Sequence, residues 1–252
     1  MLCKIWRAWH TIDVPIDIES RLKHAVQQFW LSRQKQQKKQ IESGKIDAGT
    51  RGAVTGGTQM GALEVLIRDI LVETGLKETH IKTRTALELP GYYRPEKKWD
   101  LIVVSENKLV LAMEFKSQVG PSFGNNFNNR SEEAIGSASD IWVAHREGRF
   151  GDGPAPFLGY LFLLEDCTAV HRPVKNSEPY FHVDPVFKDV SYSKRYELLG
   201  RRLMRERLYT AACLLMSTNS KRTRVTQPAE DLSFAAFVAA LRGHIVTFVN
   251  KQ

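Results

Sequence analysis

The chain has 252 residues, enough for one large or two small domains, and its 42% hydrophobic content can fill a core. Its net charge of +8, from 36 Lys and Arg against 28 Asp and Glu, favours a polyanionic partner. No apolar run approaches the ~20 residues of a membrane helix, the opening "MLCKIWRAWH" lacks the apolar core of a signal peptide, and Cys3, Cys167 and Cys213 show neither CxxC pairing nor histidines at zinc spacing. A cytoplasmic protein with reduced structural thiols, no zinc and no membrane contact is expected.

Residues 19–40 carry an apolar stripe of Leu22, Val26, Phe29 and Trp30 and are predicted helical, ending in a run with Arg33, Lys35, Lys38 and Lys39 and no acid. Residues 43–61 hold six glycines and read as a long loop; no Gly-Lys-Ser/Thr follows, so it is not a P-loop. Arg51 and Gln59 in it are candidate nucleic-acid contacts. Helical period returns over residues 60–74, where Glu64 lies, and Gly75 is placed as a C-cap.

Residues 99–104 and 108–116 are two strand candidates joined by the short turn Ser105-Glu106-Asn107, which predicts a hairpin. "GPSFGNNFNNR", residues 120–130, is expected to be a loop in which Gly120 and Gly124 permit unusual backbone angles, with Ser131 capping the helix that follows. Residues 157–164 are continuously apolar, as in a buried central strand. The last third is expected to be mainly helical, with a basic helix over residues 196–216, a basic loop "NSKRTR" containing Arg222 and Arg224, and a closing helix through Phe234, Phe237, Val238, Leu241, Ile245 and Phe248. Between Ser191 and Arg224 nine basic residues face only Glu197 and Glu206, a local charge of +7. Each basic cluster is either a polyanion-binding surface or a solvated helix face.

The chemistry concentrates in the second strand of the hairpin. Residues two apart share a strand face, so Glu114 and Lys116 point one way while Met113 and Phe115 enter the opposite layer. An ionised carboxylate or ammonium costs several kcal/mol to bury unless it is paired or holds a metal. Hairpin pairing can bring Asp100 near Glu114, and two carboxylates beside a lysine suit a hard divalent cation, which suggests an oxygen-rich Mg²⁺ site of the kind phosphodiester hydrolysis needs. The plainer alternative is an exposed hairpin edge guarded by charges. The basic windows and the Gly- and Asn-rich segments on either side favour a nuclease. Asn125, Asn126, Asn128, Asn129 and Arg130 are then either shapers of their own loop or readers of base edges, since amide and guanidinium groups match adenine and guanine in the major groove.

Asp100 with Glu114 and Lys116 resembles the PD-(D/E)xK nuclease motif. "RPEKKWDLIVV" and "EFKSQVGPSFGNNFNNRSEEAIGSASDIW" resemble the XhoI family of type II restriction endonucleases. That resemblance implies an α/β restriction-endonuclease-like PD-(D/E)xK core, a mixed central sheet flanked by helices, with additional N- and C-terminal helices. It also implies a Mg²⁺-dependent homodimer that cuts double-stranded DNA at the palindrome CTCGAG and leaves 5′-phosphates on staggered ends. Asp100 and Glu114 become metal ligands, Lys116 the water-positioning or general-base group, and Glu64 an extra ligand candidate. The whole chain is expected to be a single domain, with its catalytic core over residues 51–170 and a basic helical region over residues 191–252. No methyltransferase motif is present, so a separate cognate DNA methyltransferase, functionally paired but not bound, is expected to protect the host. Trp99 stands where the motif's name places proline, which loosens the positional assignment of Asp100. A structure-specific, resolvase-like nuclease and a DNA-binding protein with a decayed site are the competing functions.

Overall fold

β5 (Lys108–Gln118) is the longest strand and is buried over most of its length, because both of its faces are covered. The computed structural model describes residues 18–42, 59–220 and 222–250; Cys3, Arg51, Lys221 and most of the glycine-rich loop lie outside them. β5 pairs antiparallel with β4 (Leu101–Ser105) across a tight turn in which Glu106 and Asn107 have φ of 51° and 59°. The expected hairpin is therefore present, closed by two left-handed residues whose twist suits its strands. On its other side β5 runs parallel to β6 (Phe157–Glu165), and β6 runs parallel to β7 (Ala211–Ser217). Two short antiparallel strands, β1 (Ile81–Lys82) and β8 (Val225–Thr226), finish the edges of this mixed six-stranded sheet, in the order β1-β4-β5-β6-β7-β8. A separate ribbon pairs β2 (Glu88–Pro90) with β3 (Glu96–Lys98).

Helices cover both faces, giving the mixed α/β class expected from the sequence. On one side α1 (Ile18–Glu42), α2 (Gly61–Glu73) and α6 (Phe234–Val249) bring Leu22, Ile67 and Phe237 into one core with Met113, Phe115 and Leu161. On the other, α3 (Phe123–Arg146) and α5 (Tyr192–Arg205), with the single-turn α4 (Thr168–His171) between them in the chain, bring Ala138, Ile141 and Leu199 against Ala112, Tyr160 and Leu214. β5 alternates between these cores, so Met113 and Phe115 pack in the first while Glu114 and Lys116 face the second, as the period of two requires. Gly75 caps α2 with φ of 99°, in line with its expected role. Cys213 is a buried free thiol whose pKa burial pushes up, and Cys167 is also free. Among the described residues no helix is long and apolar enough to cross a membrane.

Two expectations are corrected. The asparagine-rich segment is the first half of α3, not a loop, and Ser131 is no N-cap; its hydroxyl donates to the Phe127 carbonyl one turn back. Tertiary anchoring overrides the weak helix propensity of asparagine here. Phe123 and Phe127, four apart, are held by ring contacts to Tyr192 at 6.1 Å and Tyr196 at 5.1 Å. Neither Gly120 nor Gly124 has a positive φ; Gly124 is small because a Cβ there would meet the Tyr192 hydroxyl at 2.7 Å.

The second correction concerns residues 196–216, which are not one helix. α5 stops at Arg205, Arg207 turns the chain with φ of 57°, and "AACLLMS" enters the sheet as β7. An unbroken apolar run without a polar face is buried on both sides, which a central parallel strand provides and an amphipathic helix does not.

Packing is tight at Gly159 in β6, where an added Cβ would lie 2.9 Å from Met113 Cγ and 3.0 Å from Phe237 Cζ. Gly159→Ala is therefore expected to destabilise the fold by about 1–3 kcal/mol, measured by urea unfolding. An unchanged midpoint would mean that β5, β6 and α6 are packed more loosely than described.

Candidate active site

Asp100 immediately precedes β4, and its backbone N–H donates to the Met113 carbonyl at 3.2 Å. That pairing fixes its carboxylate alongside β5, where Oδ2 accepts from the Phe115 N–H at 2.8 Å. Phe115 lies between Glu114 and Lys116, so all three motif groups meet on one short piece of strand. Lys116 Nζ is 3.5 Å from Asp100 Oδ2 and 3.7 Å from Glu114 Oε1. The side chains of Asp100 and Lys116 are partly open, at 29% and 20% exposure, whereas Glu114 is 1% exposed.

Sequence reasoning missed two groups that hold Glu114. Lys97, on β3, forms an ion pair with Glu114 Oε1. Tyr209, just before β7, donates its hydroxyl to Glu114 Oε2 at 3.0 Å. Lys97 had a faint signal, since "EKKWD" places a lysine three residues before Asp100; Tyr209, 95 residues from its partner, had none.

Burial alone pushes the Glu114 carboxyl up, but Lys116, Lys97 and the Tyr209 hydroxyl outweigh it and hold Glu114 below its ordinary value. Burial likewise pushes Lys116 down, and Glu114 and Asp100 reverse the effect, leaving its pKa raised. Lys116 thus keeps its proton in the metal-free protein and is suited to hold a water or phosphate oxygen. Glu64, on the first turn of α2, has its pKa raised to about 7 by burial and by the Asp100 charge, with Arg84 opposing. It borders a pocket of about 360 Å³ with Arg68, Thr83 and Arg84. The structure therefore brings Asp100, Glu114 and Lys116 into contact and sets Glu64 within electrostatic reach of Asp100.

Whether such a site suits Mg²⁺ depends on its donors. Among the described residues no three acidic, histidine or cysteine side chains form a ready metal cage. Mg²⁺ does not require one, because it keeps several waters and takes one or two carboxylates together with substrate phosphate oxygens. Asp100 and Glu114 meet that need. The Tyr160 hydroxyl, buried and without a hydrogen-bond partner among the described residues, belongs to the residue that registers opposite Glu114 in β6, as expected beside a site that takes a hydrated group.

The candidate DNA contacts divide into groups. Asn125, Asn128 and Asn129 are exposed on α3, while Asn126 bonds back to the Ser122 carbonyl and Arg130 pairs with Glu133. Both Arg130 and Glu133 act electrostatically on Lys116, so this half of α3 lies within electrostatic reach of the site. Gln59 is buried against α1, where its amide donates to Gln36 Oε1 and its Oε1 accepts from Arg33. Arg222 and Arg224 are exposed on the β7–β8 connection. That connection meets α1 through Gln34 and Asn219, 185 residues apart, and the adjacent Trp30 donates to Ser217 at 2.9 Å. Two basic clusters far apart in sequence, with exposed Lys35, Lys38, Lys39, Arg222 and Arg224, therefore converge near the C-terminal end of the parallel strands. The basic residues of α5 behave differently: Lys194 and Arg201 pair with Glu197, Arg201 also with Asp231, and Arg202 with Asp184. Asp231 and Asp184, which lie outside that window, thus offset two of the local +7 within the fold.

Comparison with known proteins gives the same direction. The sequence model for restriction endonuclease XhoI matches residues 39–228. The type II restriction enzyme BstVI of Geobacillus stearothermophilus is 52% identical over 166 residues, 63% of this chain and 74% of that protein. The type II restriction enzyme XhoI of Xanthomonas vasicola is 58% identical over 124 residues, 49% of this chain and 50% of that protein. The type II restriction enzyme AbrI of Azospirillum brasilense is 48% identical over 165 residues, 66% of this chain and 74% of that protein. No solved structure matches the chain significantly.

The Glu64 shift has a measurable sign. A carboxyl whose folded pKa is raised from 4.5 to about 7 keeps its proton in the fold after the unfolded chain has lost it, so it subtracts from stability progressively across that interval. In EDTA, Glu64→Gln is expected to gain thermal stability relative to the parent as pH rises from about 5 to 8. A difference in melting temperature that does not change with pH would contradict the burial and Asp100 coupling assigned to Glu64.

Proposed function

The chain belongs to the restriction endonuclease XhoI family, and from that premise we propose that it hydrolyses double-stranded DNA at CTCGAG with Mg²⁺, leaving 5′-phosphates on staggered ends. The observation that carries this reading is the meeting of Asp100, Glu114 and Lys116 at one point of the hairpin. We take that hairpin as the PD-(D/E)xK core of a single catalytic domain. Trp99 in place of proline does not disturb it, since Trp99 is buried and Asp100 still reaches the β5 backbone.

Asp100 and Glu114 are assigned as the residues that hold the metal, with Glu64 a further ligand. When bound, a divalent cation polarises the scissile phosphoryl group and lowers the pKa of a water beside it. Lys116, kept protonated by its two carboxylate neighbours, orients that water or a phosphate oxygen. The exposed lysines of α1 with Arg222 and Arg224 supply phosphate contacts that hold the duplex without reading it. Asn125, Asn128 and Asn129, on the half of α3 beside Lys116, are the proposed base-edge readers. A palindromic target calls for two copies related by a twofold axis, one per strand, so the active form is assigned as a homodimer. A separate DNA methyltransferase protects the host's own sites.

Glu114→Gln is expected to lower plasmid cleavage in Mg²⁺ by about a hundredfold or more while DNA binding persists, and Lys116→Ala to do the same. The parent enzyme should yield discrete fragments and none in EDTA. Smeared products, or a Glu114→Gln variant that cuts at the parent rate, would sink the assignment.

The charged edge gives an independent check. Lys35→Glu with Lys38→Glu should weaken binding to cognate and unrelated duplexes alike. The slope of log affinity against log salt should flatten by about 1 for each DNA phosphate that is no longer neutralised. If only the cognate duplex loses affinity, these lysines read sequence and the division of labour above is wrong.

A further inference from the structure

Glu114 has two carboxylate oxygens, and both are engaged. Oε2 accepts from the Tyr209 hydroxyl at 3.0 Å. Oε1 carries the Lys97 ion pair and lies 3.7 Å from Lys116 Nζ. Since Tyr209 fixes one side of the group, Oε1 is the oxygen left to face Asp100 and a cation, and a lysine from outside the motif already occupies it.

The charges around this oxygen balance. Asp100 and Glu114 supply two negative charges, and Lys97 and Lys116 supply two positive ones. Adding a divalent cation without substrate would leave a net excess of +2, or +1 with Glu64 ionised, around a carboxylate that is 1% exposed, which an environment of low dielectric resists. One ammonium has to move away. Lys116 projects from the middle of β5 and touches both carboxylates. Lys97 comes from the separate β2–β3 ribbon and touches only Glu114 among the described carboxylates, with its Nζ 4.3 Å from the Trp99 ring centroid.

The ribbon itself is held in place. At its turn the Tyr92 and Tyr93 N–H groups each donate to Asp140 Oδ1 at 2.8 Å, and Arg94 Nε donates to Oδ2 at 2.7 Å. Asp140 is buried, and a Cβ on Gly91 would collide with its Oδ2 at 2.5 Å. A fixed ribbon with a lysine of four flexible carbons allows the ammonium to swing while the backbone stays.

We propose that Lys97 is a positioning residue that occupies Glu114 Oε1 in the DNA-free enzyme and yields it to the metal when a DNA phosphate accepts its ammonium, so that metal loading is coupled to substrate binding. This rests on the metal reading above. Its consequence is that the enzyme carries its metal poorly until DNA is present, and that Lys97 ends beside the phosphate backbone.

The test is Mn²⁺ binding, followed by electron paramagnetic resonance, to the full-length, DNA-free protein. Lys97→Met is expected to bind Mn²⁺ about tenfold more tightly than the parent, because the competing charge is gone, and Lys97→Arg to bind like the parent. Circular dichroism confirms that each variant is folded. If Lys97→Met does not fold, Lys97→Gln replaces it, since its amide can still donate to Glu114 without competing as a cation. Equal affinity in the parent and a folded neutral variant overturns the proposal, as does a Lys97→Arg variant that behaves like the neutral one. If no protein binds Mn²⁺ even on a duplex, the metal reading falls and this proposal falls with it; binding only on the duplex, unchanged by the neutral variants, removes the Lys97 role alone.

Discussion

The ionised carboxylate of Glu114 sits at 1% exposure in the middle of a sheet, and the surrounding structure is arranged around keeping it charged. A lone buried carboxylate would take up a proton and lose the ability to bind a cation. Here the charge is held by Lys116 from the same strand, Lys97 from the β2–β3 ribbon and Tyr209 from the segment entering β7. These partners come from three separate parts of the chain. Removing one partner of such a buried pair typically costs about 3–5 kcal/mol, so the group proposed to serve the chemistry also ties the ribbon and β7 to the central strand.

The position of this cluster follows from the sheet. β5 is antiparallel to β4 and parallel to β6, which lets Asp100 approach from one side while the C-terminal ends of β5, β6 and β7 open together on the other. Gly120 donates to Glu165 at 2.9 Å, and Glu165 acts electrostatically on Arg33 of α1, so these strand ends and α1 lie within electrostatic reach of one another. Ligands of α/β sheets favour such carboxyl ends. A surface with exposed lysines on α1 and arginines on the β7–β8 connection suits a polyanion.

What the sequence revealed was governed by short range. Glu114 and Lys116 on one face, Asp100 within pairing distance, the hairpin turn and helices α1, α2 and α6 all follow from periodicity and turn chemistry over a few residues. The start of α3 did not, because Asn-Asn-Phe-Asn-Asn reads as a turn until Tyr192 and Tyr196 are known to clasp Phe123 and Phe127. β7 was hidden for a similar reason: a short apolar run next to an amphipathic helix looks like more helix until β6 is there to pair with it. Lys97 and Tyr209 could not be assigned, since the need they answer exists only once Glu114 is buried. The basic window of α5 was legible as charge but not as function, because its acidic partners Asp184 and Asp231 lie in neighbouring segments.

The most direct measurement is the anomalous diffraction of Mn²⁺ in crystals of the protein with a duplex containing CTCGAG. The account predicts a cation peak ligated by Asp100 and Glu114, a scissile phosphate beside Lys116, and Lys97 turned from the carboxylate toward the DNA. A cation bound elsewhere, with Asp100, Glu114 and both lysines still closed on one another while the DNA is cut, would contradict it.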